Sequence, residues 1–202
     1  MDPSYFLMPS RFVFALHTVW WGAFLLARVR LLVTAKSASA QAPQHESAPM
    51  HAPQAGNLVR AHSAVIVALY PALWMATTRL DAPGLVRGVV ASLLLGLGGA
   101  TAAWAIAVFR SYRLRATIDP GHELCETGPF KFVRHPIYLA FGLLGVGSAA
   151  WAPSLGTWTV AVLLWVIGDL RARGEERLLE ATFGERYRQY RSGTSRLLPW
   201  VY

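Results

Sequence analysis

One cysteine, Cys125, in 202 residues leaves no partner for an internal disulfide and no cysteine-rich zinc site. Charge is scarce as well: Asp, Glu, Lys and Arg make up 15% of the chain, where a soluble domain carries about a quarter. That deficit argues against an ordinary water-soluble domain. Acidic residues are outnumbered 11 to 19 by Lys and Arg, giving a formal net charge of +8. The basic residues are scattered between apolar runs rather than gathered on one polar face. Anionic lipid headgroups explain that arrangement better than nucleic acid does. No internal repeat is visible.

What is abundant is apolar. The chain is 54% hydrophobic, with a mean hydropathy of +0.35. Eight Trp and seven Tyr suit a protein with many membrane–water boundaries. Five apolar segments stand out, at 12–33, 64–77, 84–109, 137–151 and 153–167. The first and third are long enough for a hydrocarbon core of about 30 Å, which takes about 20 helical residues. Pro71 predicts a kink in the second. Gly96, Gly98 and Gly99 in the third predict close helix approach. The last two, joined by Ala152 alone, are short and predict a helical hairpin. Beyond it, residues 175–191 read as one interfacial amphipathic helix, with Leu179, Phe183, Tyr187 and Tyr190 on its apolar stripe. The expected fold is therefore an all-α integral membrane protein: about five transmembrane helices, the last two a short hairpin, then that C-terminal helix.

Two regions are expected. Residues 1–115 form N-terminal transmembrane helices, with a flexible polar loop at 35–57 rich in Ala, Pro, Ser and Gln. Residues 116–202 form the catalytic region. Basic residues flank the first and third connections and fill the tail, which by the positive-inside rule puts the N-terminus outside and the C-terminal half in the cytoplasm. The Arg-, Ala- and Gly-rich composition suggests a bacterial inner membrane.

Two polar clusters lie at borders of the apolar runs: the stretch from Thr127 to Tyr138, and the pair Glu175-Glu176. Pro136 is placed to start the fourth helix, with His135 at its cap. Free backbone donors and the positive end of the helix dipole then suit a carboxylate or phosphate, with Arg134 beside them. Two adjacent acids oppose the negative end of a helix unless something cationic compensates. Arg171 is one such compensation, and a bound cation is another. An anion-favouring helix start facing a cation-favouring acid pair suits a zwitterion with a positive centre, and S-adenosylmethionine is one.

The run Gly128-Pro-Phe-Lys-Phe-Val-Arg-His-Pro-Ile-Tyr138 resembles the cofactor signature of the isoprenylcysteine carboxyl methyltransferase and phospholipid methyltransferase superfamily, membrane enzymes that use S-adenosylmethionine. Residues 175–190, two acids followed by Leu, Phe-Gly, Tyr and Tyr, resemble their second signature, and His122-Glu-Leu124 matches a weaker upstream element. The resemblance covers about 120–199. It implies that Thr127, Gly128, Pro129, Phe130, His135, Pro136 and Tyr138 line the cofactor pocket together with Ala140, where the family usually has Gly. It further implies that Glu175 faces the methionine ammonium or the sulfonium and that Glu176 buttresses it, with Glu176 or His135 the base for an amine acceptor that arrives protonated. Arg134 and Arg171 match positions that orient the methyl acceptor.

The activity so implied is methyl transfer to a lipophilic acceptor arriving from the bilayer, either an isoprenylcysteine-like carboxylate or a lipid nucleophile. No metal and no nucleic acid is needed. Two other readings compete. A sterol-type NADPH reductase shares a His-Pro-x-Tyr element, but those enzymes usually carry Asn before the Tyr, where this chain has Ile137. A haem-binding or purely structural membrane protein would use His17 and His62, although a lone helical His more often packs.

Overall fold

The computed structural model describes residues 4–39, 50–51, 55–109, 117–118 and 124–202. Six α-helices lie within them: α1 (Ser4–Ser39), α2 (Ala55–Thr77), α3 (Leu85–Val108), α4 (Pro136–Trp151), α5 (Leu155–Phe183) and α6 (Glu185–Gly193). A 3-10 turn, Gly128–Lys131, precedes α4, and the two-residue strands β1 (Met50–His51) and β2 (Thr117–Ile118) pair antiparallel. The chain is all-α in its architecture.

Stretches of four helices are long and apolar enough to cross a bilayer: Arg11–Arg30, Gly56–Thr77, Leu85–Val108 and Leu155–Phe183. With 16 residues, α4 is shorter, about 24 Å at 1.5 Å per residue. Large apolar side chains cover the outside of the bundle; Val19, Leu26, Val67, Leu93 and Val162 are each more than half exposed. Water would make this a large unfavourable patch, whereas lipid solvates it.

The core sits around α4, which packs between α3 and α5, while α5 also rests on α2 and α1 on α3. Glycines make this close approach possible. A Cβ on Gly142 would lie 2.5 Å from the Trp165 ring on α5, and one on Gly98 3.0 Å from the Ala140 carbonyl on α4. Of the three glycines expected to permit close packing in α3, Gly98 and Gly99 do so against Trp20, and Gly96 faces open space.

Three local expectations are corrected. The second helix begins nine residues before 64 and has Pro71 inside it. The connection between α4 and α5 is Ala152-Pro153-Ser154, because Ser154 caps α5. Its hydroxyl accepts from Thr157 N at 3.1 Å, and Thr157 Oγ1 accepts from Ser154 N at 3.0 Å. Residues 175–191 are not one helix. Through residue 183 they continue α5, and Gly184, at φ 53°, turns the chain into α6. Of the polar loop expected at 35–57, residues 35–39 end α1 and 55–57 begin α2, while 40–49 and 52–54 lie outside the described residues. So do His122 and the basic residues Arg110, Arg113 and Arg115.

One buried polar chain crosses the apolar core. Ser148 Oγ donates to Leu144 O at 2.6 Å, so His17 Nε2, 3.0 Å away, must donate to Ser148. That leaves His17 Nδ1 as acceptor towards the Tyr70 hydroxyl at 3.4 Å, and Tyr70 in turn accepts from Trp21 Nε1. Both nitrogens of His17 are engaged in joining α1, α2 and α4, which answers the haem-ligand reading for that residue.

Candidate active site

The length of α5 creates the site. Its first half packs on α4, and Gly168 touches the Tyr138 side chain. Two helical turns later the same face of α5 presents Glu175, which accepts the Tyr138 hydroxyl. Thus two clusters some forty residues apart meet because one helix overshoots the other.

The two glutamates are in different surroundings. Glu176 is buried, and its oxygens accept from Arg134 Nε at 2.8 Å and from Arg196 Nε and NH2 at 3.0 and 2.9 Å. Arg134 also donates through NH1 to the carbonyls of Thr194 and Arg191. Arg196 reaches Asp169 Oδ1 at 3.2 Å and the Tyr202 hydroxyl. Glu176 is therefore the centre of a clasp that holds the C-terminal segment to the start of α4. The backbone completes it: Arg134 N donates to Ser195 O at 2.8 Å, and His135 N to Arg196 O at 3.1 Å. Both donors precede the first turn of α4, in which Pro136 has no N–H to give.

His135 lies between the acids, with Nδ1 3.5 Å from Glu175 Oε2 and Nε2 3.6 Å from Glu176 Oε1. Burial opposes protonation of the ring, but the two carboxylates outweigh it and hold its pKa above the ordinary histidine value. At 3.6 Å the Nε2 contact is too long for a hydrogen bond, and that atom has no partner among the described residues.

A cavity of about 360 Å³ opens beside this cluster. Its polar end carries Arg134, His135, Tyr138, Arg171 and Glu175; Tyr187 and Tyr190 of α6 close one side. Its apolar end is built by Trp21 and Phe24 of α1, Val59, His62 and Ile66 of α2, and Phe141 of α4. Of the residues expected from the sequence, the cavity brings together Phe130, Arg134, His135, Pro136, Tyr138, Arg171 and Glu175. Thr127, Gly128 and Pro129 are behind the wall. Gly128, at φ 59°, packs on Val108 and Trp104 of α3, and Phe130 stacks on Phe109 at 5.7 Å. Ala140 is buried in the core with its carbonyl against Gly98, and Glu176 turns to the clasp.

The guanidinium of Arg171 lies over the Tyr138 ring, 4.8 Å from its centroid, and NH1 donates to His62 Nδ1 at 3.0 Å. Sequence reasoning did not find His62, Tyr187 or Arg196 as site residues. His62 lies in an apolar helix without a motif, and Arg196 was one of many tail arginines. Tyr187 had a signal in the stripe 179, 183, 187 and 190, which reads equally as packing.

The sequence model of the isoprenylcysteine carboxyl methyltransferase (ICMT) family matches residues 91–181. A methanethiol S-methyltransferase 1 of Bradyrhizobium diazoefficiens is 37% identical over 76 residues, 35% of this chain and 24% of that protein. A methanethiol S-methyltransferase of Mycobacterium tuberculosis is 40% identical over 76 residues, 35% of this chain and 28% of the relative. The protein-S-isoprenylcysteine O-methyltransferase of Schizosaccharomyces pombe is 30% identical over 81 residues, 40% of this chain and 34% of its own length. The matches thus span about a quarter to a third of these relatives. The resemblance read from the motifs is shown over 91–181, which starts earlier than 120, within α3, and stops before α6.

Proposed function

From the ICMT-family match over residues 91–181, we propose that the protein is a membrane-embedded methyltransferase. It moves a methyl group from S-adenosylmethionine to a lipophilic acceptor, with its site on the cytoplasmic side of a bacterial inner membrane. The observation that carries this reading is a single cavity with Glu175 and His135 at one end and apolar side chains of α1, α2 and α4 at the other. Basic residues flanking the polar end support the sidedness. In this reading α4 and the first half of α5 insert together as a hairpin, giving five membrane segments.

The residues fit the cofactor. The cavity volume is within the range of about 300–1,000 Å³ usual for small-molecule sites. Three buried polar atoms at its wall, His62 Nε2, His135 Nε2 and the Tyr187 hydroxyl, lack partners among the described residues. Glu175 would hold the positive centre, with Tyr138 and His135 orienting its carboxylate. Phe130 and Tyr190, joined by a hydrogen bond from the Tyr190 hydroxyl to Phe130 O at 2.7 Å, would wall the adenine. Bound there, the cofactor supplies an already electrophilic methyl group. The protein's work is then alignment and exclusion of water. Arg171 faces the cavity to place the acceptor. Arg134, whose donors serve Glu176 and two carbonyls, acts through the clasp.

Binding of S-adenosylhomocysteine to the purified protein, followed by calorimetry, tests this. The wild type should bind it in preference to NADPH, and Glu175→Gln should weaken binding at least about tenfold, the cost of losing a charge-assisted bond. A wild type that prefers NADPH, or a Glu175→Gln variant that binds normally, would sink the assignment.

A further inference from the structure

The acceptor side of the cavity holds a polar pair that neither motif contains. His62, on α2, is 1% exposed and lines the cavity between Tyr138 and Phe141, whose ring centroids lie 5.8 and 5.2 Å from its own. It lies outside the family-matched segment. Its Nδ1 is 3.0 Å from Arg171 NH1. A guanidinium has donors only, so Nδ1 must be the accepting nitrogen and the imidazole proton must sit on Nε2. That Nε2–H is buried and has no partner among the described residues. A buried donor without an acceptor is costly, and in a cavity wall the group that relieves the cost is the ligand.

Resting on the methyltransferase reading above, we propose that His62 is the acceptor-selecting residue. With Arg171 it presents two donors to an anionic nucleophile, a carboxylate or thiolate on an apolar molecule, and rejects amines. The charge logic is direct. With Glu175 engaged by the positive centre of the cofactor, Arg171 and His62 Nε2–H both favour a negative group, and an ammonium would meet a cation and a donor. Trp21, Phe24 and Ile66 offer apolar surface for the rest of the molecule.

The transfer balances without a base. The acceptor's lone pair forms the bond to the methyl carbon as the carbon–sulfur bond breaks, and that bond's pair stays on sulfur. The negative and positive charges cancel, and no proton leaves. A thiol gives up its proton to water on entering as thiolate, helped by the Arg171 charge. An amine arriving as ammonium would first have to lose a proton, and His62 offers it no acceptor: Nδ1 is occupied by Arg171 and Nε2 is already protonated.

The test uses the full chain in lipid nanodiscs, with decanoate, decanethiol and decylamine as matched probes. Binding is read from Trp fluorescence, methylation from labelled product, and S-adenosylhomocysteine affinity by calorimetry. The acid, the thiol or both should bind and be methylated, and the amine should not; which of them reacts separates carboxylate from thiolate. His62→Phe should weaken acceptor binding and turnover about tenfold, as for a lost hydrogen bond to a charged group, without changing S-adenosylhomocysteine affinity. His62→Gln, which retains an acceptor and a donor, should recover most of it. Undiminished binding of the acid or thiol by His62→Phe, or methylation of the amine in preference to both, overturns the proposal alone. A wild type that does not bind S-adenosylhomocysteine overturns the methyltransferase reading and this one with it.

Discussion

Replacing Glu176 by Gln separates two neighbouring acids that look alike in the sequence. Glu176 is 4% exposed and is the shared acceptor of two arginines; Arg134 is 8% exposed at its side chain and Arg196 19%. The amide loses the negative charge and leaves Arg134 buried without a counter-ion. Breaking a buried pair from one side costs about 3–5 kcal/mol. The partial exposure of Arg196 and its second partner, Asp169 at 3.2 Å, place the expected loss at the lower end, about 3 kcal/mol. The loss should be localised. The clasp holds residues 194–196 to the start of α4, so the amides of Arg134 and His135, which donate to Ser195 O and Arg196 O, should lose hydrogen-exchange protection before those of α3 do. Thermal unfolding in detergent with exchange mass spectrometry measures both effects. Glu175→Gln, by contrast, should bind the cofactor product poorly and keep its clasp. If Glu176→Gln unfolded like the wild type and kept protection at 134 and 135, the clasp would not be what holds the tail.

The packing of α4 makes a second expectation. Gly142→Ala places a methyl 2.5 Å from the Trp165 ring, so α4 and α5 must separate or the indole must move, at a cost of about 1–3 kcal/mol measurable as a lower Tm. A third concerns pH. Because the folded protein holds the His135 pKa above its ordinary value, protonated His135 contributes stability that is complete below about pH 6.5 and is lost as pH rises through the raised value. His135→Gln should flatten the dependence of Tm on pH above neutrality; an unchanged profile would refute the assignment.

The helical class and the apolar segments were legible because bilayer-length runs need no tertiary information: hydrocarbon imposes helix on any long apolar stretch. The stretch ending at Tyr138 and the Glu pair were legible as motifs. The resemblance set Glu175 towards the cofactor and Glu176 behind it, but which side chains each acid touches was not legible. Glu175 and Glu176 are adjacent, and only the direction in which α5 presents each face decides that one meets Tyr138 at the cavity and the other meets two arginines in the clasp. The helix boundary at Gly184 was missed because the 3–4 residue spacing of 179, 183, 187 and 190 is the same in one helix as in two that share a cavity wall.

The sequence by itself determined the solvent, the helices and the chemistry present at two points along the chain, since composition and local pattern depend on near neighbours alone. Tertiary structure decided what those points face. The tail pairs with the backbone just before α4, the Ala140 carbonyl meets Gly98 of α3, and His62 comes to Arg171 across 109 residues. Each of these depends on where segments distant in sequence pack together, which no local pattern encodes.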